Sequence, residues 1–321
     1  MNKNILFISP SYFGIQEKIR KNLEDKGYNV FYISDSESGF LFNLSKRIPS
    51  LGRLIRNHKR VRLEKIVQRN FIDTLLVIRG NQLQYNDWVQ FFEHTNIPNK
   101  IMYQWDSIRN YDYSRLVQFY NRVITFDRKD SIEYNLIYYP LFWEKKIKEK
   151  NICTHLKEDI DLLFVGIWHS DRIHILNQIY EQASRNNLHC YIKIYYPFYL
   201  YLWLRYIRRL DLNSSFWTYK KIKPAKMDLL YQRAKCVIDI NHPMQTGLTM
   251  RTMEAIGFGK KLLTTNQYIK KEDFFNEKCI SIIDRANVNI NFSFLYEDAP
   301  YAGIERYELS NWLNFLLKND F

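Results

Sequence analysis

The 321-residue chain is poor in the residues that punctuate or staple a fold, with 10 Gly, 8 Pro and 4 Cys. So little glycine and proline excludes collagen-like repeats and low-complexity linkers. Cys153, Cys190, Cys236 and Cys279 stand tens of residues apart, with no Cys-x-x-Cys pair and no Cys/His spacing. That excludes a disulfide scaffold and gives no reason to expect a zinc site. The four read as buried thiols of a reducing compartment. Long hydrophobic runs are also missing. The first apolar run, Ile5–Ile8, stops at Ser9-Pro10 and is too short for the core of a secretory leader. Ile194–Leu204 falls well short of the roughly 20 residues that span a bilayer. A cytoplasmic protein is the expectation.

What is abundant is positive charge and aromatic surface. Lys and Arg number 47 against 34 acids, a net charge of +13, and there are 21 Phe and 24 Tyr. With 46% hydrophobic and 25% charged residues, disorder is excluded. The length suggests about two domains, each able to bury a core without staples. A basic, aromatic protein has three natural partners: nucleic acid, a membrane surface or an anionic small substrate.

Short apolar runs alternate with helical patterns. Ile5–Ile8, Tyr28–Ile33, Thr74–Ile78, Lys100–Gln104 and Arg122–Thr125 read as strands. A pause across Trp143–Glu158 follows. The pattern resumes at Asp161–Gly166, Cys190–Tyr195, Cys236–Ile240, Lys261–Thr265 and Ile280–Ile283, with a last helix at Glu305–Lys318. Runs of this kind are strands of parallel βαβ units, buried on both faces. The reading is α/β: two Rossmann-like domains, residues 1–150 and 151–304, facing across a cleft, with a C-terminal helix over 305–321. Ligands of open α/β sheets sit beyond the carboxyl ends of the strands. The segments to interrogate are therefore Ser9–Ser11, Arg79-Gly80, Trp105–Ser107, Thr125–Asp127, Gly166–Arg172, Asn241-His242 and Thr264–Asn266.

The most informative stretch runs from Asp239 to Asn266. It reads as strand, loop, helix start, glycine cap and strand. Gly247-Leu248-Thr249 opens the helix, whose free N–H groups and dipole suit a phosphate. Arg251 is placed to add a bidentate contact. Glu254 lies about two turns in, and Gly257 and Gly259 end the helix. Asp239, inside the strand, reads as structural.

This stretch resembles the nucleotide-sugar-binding element of two-domain glycosyltransferases of the GT-B type. In those enzymes a Glu-x7-Glu stretch runs into a small-residue helix and strand, and the second Glu holds the nucleotide ribose. Glu254 occupies that second place; the first falls on Thr246, and Lys261 replaces the usual proline. Tyr103–Ser107, Thr125–Asp127 and Phe164–Arg172 resemble the bacterial lipopolysaccharide and capsule transferases and the spore-coat-like glycosyltransferase group as well. The resemblance implies a nucleotide-sugar donor, a saccharide or lipid-linked acceptor and no cofactor. It implies donor contacts from Gly166, His169, Arg172, His242, Gly247, Thr249, Arg251 and Glu254. Each has a plainer reading: Glu254 as a solvated helix residue, Arg172 and Arg251 as surface charges, His169 as a core histidine and His242 as a turn residue fixed by Pro243. A departing diphosphate is stabilised in this fold by helix N-termini and cations, and no metal is expected. A base for the acceptor hydroxyl is expected at the strand ends of the first domain, with Asp106 and Asp127 the candidates. Asp127 also suits a cap for a helix starting at Arg128.

From Lys46 to Arg69 there are nine Lys/Arg against the single Glu64, a net of +8 in 24 residues. Leucine, isoleucine and valine interleave with Arg53, Arg56, Lys59, Arg60 and Arg62, which suits an anionic membrane surface; a solvated basic face is the alternative. Tyr195–Arg209 is a second aromatic and basic stretch, read either as a headgroup or lipid-acceptor contact or as a buried helix with a basic end. The resulting picture is a peripheral enzyme at the inner face of the cytoplasmic membrane. Nucleic acid is not expected as a partner, because no RNA- or DNA-binding signature is visible; a basic nucleic-acid binder and a non-catalytic GT-B protein are the alternatives. A nicotinamide-dependent oxidoreductase is a third alternative, and the first turn, Ser9–Gly14, speaks against a dinucleotide there because it lacks the glycine fingerprint.

Overall fold

The computed structural model describes residues 3–11, 14–35, 48–81, 83–145, 157–168, 170–207, 209 and 215–318. The chain forms two compact units: Met1–Pro140 with Leu309–Phe321, and Leu141–Glu308. Each is built on a six-stranded sheet in which every pairing is parallel.

In the first unit the strands are β1 (Asn4–Ser9), β2 (Asn29–Ser34), β3 (Thr74–Ile78), β4 (Asn99–Gln104), β5 (Arg122–Thr125) and β6 (Ile137–Tyr138), in the order β2-β1-β3-β4-β5-β6. β3 is buried at all five positions, as expected of a parallel strand covered on both faces. The covering helices include α1 (Ile15–Asp25), α2 (Pro49–Arg69), α3 (Tyr85–Glu93) and α4 (Arg128–Glu133). Leu63 of α2 and Trp88 and Phe91 of α3 enter a core with Leu75, Val77 and Met102 of the sheet.

The second unit holds β7 (Ile160–Ile167), α5 (Arg172–Arg185), β8 (Cys190–Tyr195), α6 (Phe198–Leu202), β9 (Trp217–Thr218), α7 (Pro224–Arg233), β10 (Ala234–Asp239), α8 (Met250–Gly257), β11 (Lys261–Thr264) and β12 (Ile280–Ile282). Its strand order is β12-β11-β10-β7-β8-β9. Ile175, Leu176 and Ile179 of α5 pack on Leu162, Phe164 and Ile238.

The last helix, α9 (Leu309–Leu317), is part of the first unit and not a separate element. Trp312 is fully buried, its indole N–H donates to the Pro140 carbonyl at 3.0 Å, and its ring meets Tyr103 edge-on at 4.7 Å. Lys26, just after α1, donates to Ser310 and Asn314, both at 2.7 Å. The chain leaves the first unit at Pro140, ten residues before the boundary expected near 150. Among the described residues, no helix is long and apolar enough to cross a membrane.

Candidate functional site

The carboxyl end of β10 and the start of α8 are organised by one carboxylate. Asp239 is fully buried; its Oδ2 accepts from Thr249 Oγ1 at 3.0 Å and Thr252 Oγ1 at 2.8 Å, and its Oδ1 accepts from Arg251 Nη1 at 2.9 Å. Thr249 in turn caps α8, accepting the Thr252 backbone N–H at 3.2 Å. Burying a charge without a partner is costly, so strand end and helix start are tied together here. Arg251 also donates through Nη2 to the Val165 carbonyl at 2.7 Å, and its guanidinium lies 4.9 Å from the Phe164 ring centroid. Gly166 makes room for it: a Cβ there would stand 3.0 Å from Arg251 Nη2 and 2.9 Å from Phe164 Cζ. The first N–H groups of α8 thus open at a strand end, the arrangement that binds anions.

Glu254, on the same helix, is half-buried, and its Oε2 accepts the Tyr231 hydroxyl proton at 2.8 Å. Tyr231 of α7 stacks on Phe258 with ring centroids 5.0 Å apart. Burial, with the neighbouring carboxylate second, raises that phenol's pKa well above its usual value, so it stays a hydrogen-bond donor. Glu254 is therefore a positioned carboxylate, not a solvated one.

Two arginines differ from expectation. Arg172, read as a phosphate contact or a surface charge, is turned inward and buried. Nη1 donates to the Ile167 carbonyl at 2.7 Å and Nη2 to the Ile240 carbonyl at 2.5 Å. Burial, then repulsion from Arg251, lowers its pKa to about 9. It clamps two strand ends. Arg285, which sequence reasoning missed, stands at the same sheet end. Its Nη1 meets both oxygens of Asp171, at 2.8 and 3.0 Å, and its Nη2 donates to the backbone carbonyl of Asn241, to Asn241 Oδ1 at 2.9 Å and to Thr265 Oγ1 at 3.1 Å. Burial works to raise the Asp171 pKa, but the Arg285 hydrogen bond and charge outweigh it and hold it low. The signal was available: Arg285 closely follows β12, a strand end like the others.

His242 Nδ1 accepts the Met244 N–H at 3.3 Å inside a turn, consistent with its plainer reading. The Gly247 carbonyl accepts from Gln245 at 3.1 Å and from buried Asn266 at 3.2 Å, which pins the loop before α8. His169 lies outside the described residues.

In the first unit, Asp106 follows β4 and is half-buried, with Oδ2 2.7 Å from Arg79 Nε. Arg79 has φ 70, unusual for a residue with a side chain, and its carbonyl accepts from Gln104 at 2.6 Å. Asp127 caps α4: it is buried and accepts from the Lys129 N–H at 2.9 Å and the Asp130 N–H at 3.3 Å. The capping reading of Asp127 is the one realised, and Asp106 alone of the two candidates has a carboxylate in reach of solvent.

The basic residues of α2 divide. Arg53 and Arg62 are exposed. Arg56 pairs with Asp87 at 3.4 Å and Arg60 with Glu64 at 2.6 Å. Lys59 is buried beside Leu63, so it is not available to a surface. Lys46 and Arg47 lie outside the described residues. Cys236 and Cys279 are buried and Cys190 half-buried. Burial raises the Cys190 pKa to about 12, leaving it an inert thiol at neutral pH. Among the described residues, no three His, Cys, Asp or Glu side chains cluster in a way that would hold a metal. A surface hollow lined by Asp273, Asn276 and Lys278 sits before β12, at the amino end of that strand and away from this constellation.

No protein-family model matches the chain, and no curated protein matches it. Solved structures do. An α-glucosyltransferase in complex with UDP and a mismatched 13-mer DNA aligns with TM-score 0.61 at 11% identity, covering 100% of this chain and 97% of that one. A UDP-GlcNAc 2-epimerase from Methanocaldococcus jannaschii aligns with TM-score 0.56 at 10% identity, covering 98% and 99%. A lipopolysaccharide outer-core galactosyltransferase in its apo form aligns with TM-score 0.53 at 12% identity, covering 97% and 98%. At such identities the likeness is one of fold: two parallel Rossmann-like sheets of the GT-B type.

Proposed function

We propose that the chain is a glycosyltransferase that moves a sugar from a nucleotide-sugar donor, without a metal or other cofactor, to a lipid-linked or lipopolysaccharide or capsule saccharide. The observation that carries this reading is the Asp239–Thr249–Arg251–Glu254 constellation at the carboxyl end of the second sheet. The start of α8 and the guanidinium group of Arg251 suit a diphosphate. Arg251 spends only two of its five N–H donors on Asp239 and Val165. Glu254, held by Tyr231, suits the paired hydroxyls of a ribose. As the diphosphate leaves, its growing charge is met by groups already oriented, which lowers the barrier without reorganisation. Asp106, steadied by Arg79, is assigned the acceptor proton.

Two of the solved structures support the donor class, since their names give a UDP complex and a UDP-sugar enzyme. The envelope acceptor and a peripheral station at the inner face of the cytoplasmic membrane rest on the galactosyltransferase likeness and on exposed Arg53 and Arg62 of α2. Epimerases share the fold, so product analysis belongs in the test.

The test is thermal unfolding of the chain and of Glu254→Gln with UDP, GDP, CMP, ADP and dTDP. One of these nucleotides should stabilise the parent, by ~2.7 kcal/mol at about 100 times its Kd. The amide introduced by Glu254→Gln can still accept from Tyr231 but loses the charge-assisted ribose contact. Affinity should fall at least about tenfold, ~1.4 kcal/mol, with little change in the unliganded Tm. Stabilisation by none of the five defeats the proposal. Conversion of the matching nucleotide-sugar to an epimer with no acceptor added would replace it with an epimerase.

A further inference from the structure

The second unit carries an exposed face that neither the core nor the donor constellation explains. α6 (Phe198–Leu202) runs directly into a π-helical turn, Trp203–Ile207. Only Leu204 of this segment is buried, with Leu200 and Tyr201 partly packed on the core. On the outside, Phe198 is 59% exposed, Tyr199 74%, Leu202 38%, Trp203 42%, Tyr206 67% and Ile207 69%. Exposed apolar residues scattered singly need no explanation, but six within ten consecutive residues do.

The face is anchored, not frayed. Tyr201 stacks on Trp217 of β9 with centroids 4.4 Å apart, Phe198 meets the same indole at 6.0 Å, and Tyr219 lies 5.6 Å beyond it. Cations lie beside it. Arg205, Arg209, Lys220, Lys221, Lys223 and Lys226 are all exposed, and no described residue from Pro197 to Met227 is acidic. Lys220 Nζ sits 5.6 Å from the Tyr219 ring and Lys221 Nζ 5.7 Å from the Tyr195 ring, so the cations border the aromatic patch.

We propose that this face docks on an anionic lipid bilayer. Phe198, Tyr199, Trp203, Tyr206 and Ile207 would enter the boundary between headgroups and acyl chains, and the surrounding cations would meet lipid phosphates. Tyrosine and tryptophan suit that boundary because one end of each ring is apolar and the other polar. Anionic headgroups complement the exposed lysines and arginines beside the aromatic patch. A protein partner would be met by a rim of mixed charge at interface edges. A nucleic-acid strand would use flat stacking surfaces and leave Leu202 and Ile207 in water. The proposal does not depend on sugar transfer, and it concerns a different unit and a different chemistry from the basic helix α2.

The experiment is co-sedimentation of the full chain, without nucleotide, with vesicles of phosphatidylcholine alone or mixed with phosphatidylglycerol. Partitioning should be strong only with the anionic vesicles and should shift tryptophan fluorescence to the blue. The variant Tyr199→Ser/Trp203→Ser/Tyr206→Ser should lose at least about tenfold in partitioning, and Lys220→Glu/Lys221→Glu should lose binding in a salt-dependent way. All five positions are solvent-facing, and an unchanged thermal unfolding curve checks that the variants fold. Absence of binding to anionic vesicles, full binding by the aromatic triple variant, or binding of random single-stranded oligonucleotides in place of vesicles would each overturn the proposal. Because nucleotide binding is measured without vesicles, the two proposals fail independently.

Discussion

Asp239 shows how one residue can be structural and still decide a site. Its two oxygens take three side-chain donors, so Asp239→Ala strands two hydroxyls and a guanidinium in a buried place. Breaking a buried pair from one side costs about 3–5 kcal/mol, and urea unfolding at neutral pH should show a loss of that size. Asp239→Asn keeps an acceptor and should lose only about 1–3 kcal/mol. Equal, small losses in both variants would mean that Arg251 and the two threonines find other partners. In the sequence Asp239 reads as structural and Glu254 and Arg251 as functional, because strand-end position and helix spacing are local patterns. Arg172 is misassigned there, since nothing in a linear pattern says that a guanidinium will turn inward to two carbonyls nearby in space. Arg285 and Tyr231 go unnoticed for a similar reason: their importance comes from Asp171, Asn241 and Glu254, which lie 114, 44 and 23 positions away.

Among the elements, the central strands were legible because they are buried on both faces and form continuous apolar runs. Thr74–Ile78, Arg122–Thr125 and Cys190–Tyr195 have the bounds expected. β6 and β9 were not, because a two-residue edge strand is too short to carry a period. The end of α8 separates two glycines that look alike in sequence. Gly259 has φ 67 and closes the helix: its N–H donates to the Ile256 carbonyl at 2.8 Å, and the Lys260 N–H donates to the Ala255 carbonyl at 2.9 Å, a Schellman pair. Gly257 is helical, and its constraint is space. A Cβ there would lie 2.7 Å from Trp143 Cδ2 and Cε3. Trp143 is itself fixed, with its indole N–H donating to the Ile304 carbonyl at 2.8 Å and its backbone N–H to the Tyr307 carbonyl at 2.9 Å. Gly→Ala in a helix ordinarily gains up to ~1 kcal/mol, whereas overpacking costs about 1–3 kcal/mol. The clash should win. Gly257→Ala is expected to lower the unfolding free energy, and a gain in Tm would show that Trp143 yields.

For the whole molecule, the basic excess divides between the units. The α2 region contributes one basic surface, with Lys59 buried, and the cations beside α6 contribute another that composition alone did not separate from it. The aromatic excess has a consequence of its own at high pH. Burial raises the phenol pKa of Tyr103, Tyr120, Tyr231 and Tyr301 well above the ordinary value of 10. In the unfolded chain these phenols ionise near pH 10; in the folded chain they keep their protons. Their stabilisation is complete below pH 10 and is lost as the pH rises toward the folded values. Each such phenol removes about 1.4 kcal/mol per pH unit in that window, so the four together remove roughly 5.5 kcal/mol per unit. Arg172 acts in the opposite sense, since its folded pKa of about 9 lies below its ordinary 12.5. It restores stability from about pH 9 upward, but one group at about 1.4 kcal/mol per unit cannot offset four. Urea unfolding between about pH 8 and about pH 11 should therefore show a steep fall beginning near pH 10. Phenolate absorbance should rise in two steps, first from the exposed tyrosines and then, coincident with unfolding, from the buried ones. A single smooth phenolate titration with stability unchanged past pH 11 would mean that the buried phenols ionise in place, and the core of each unit would then have to admit charge that its apolar packing excludes.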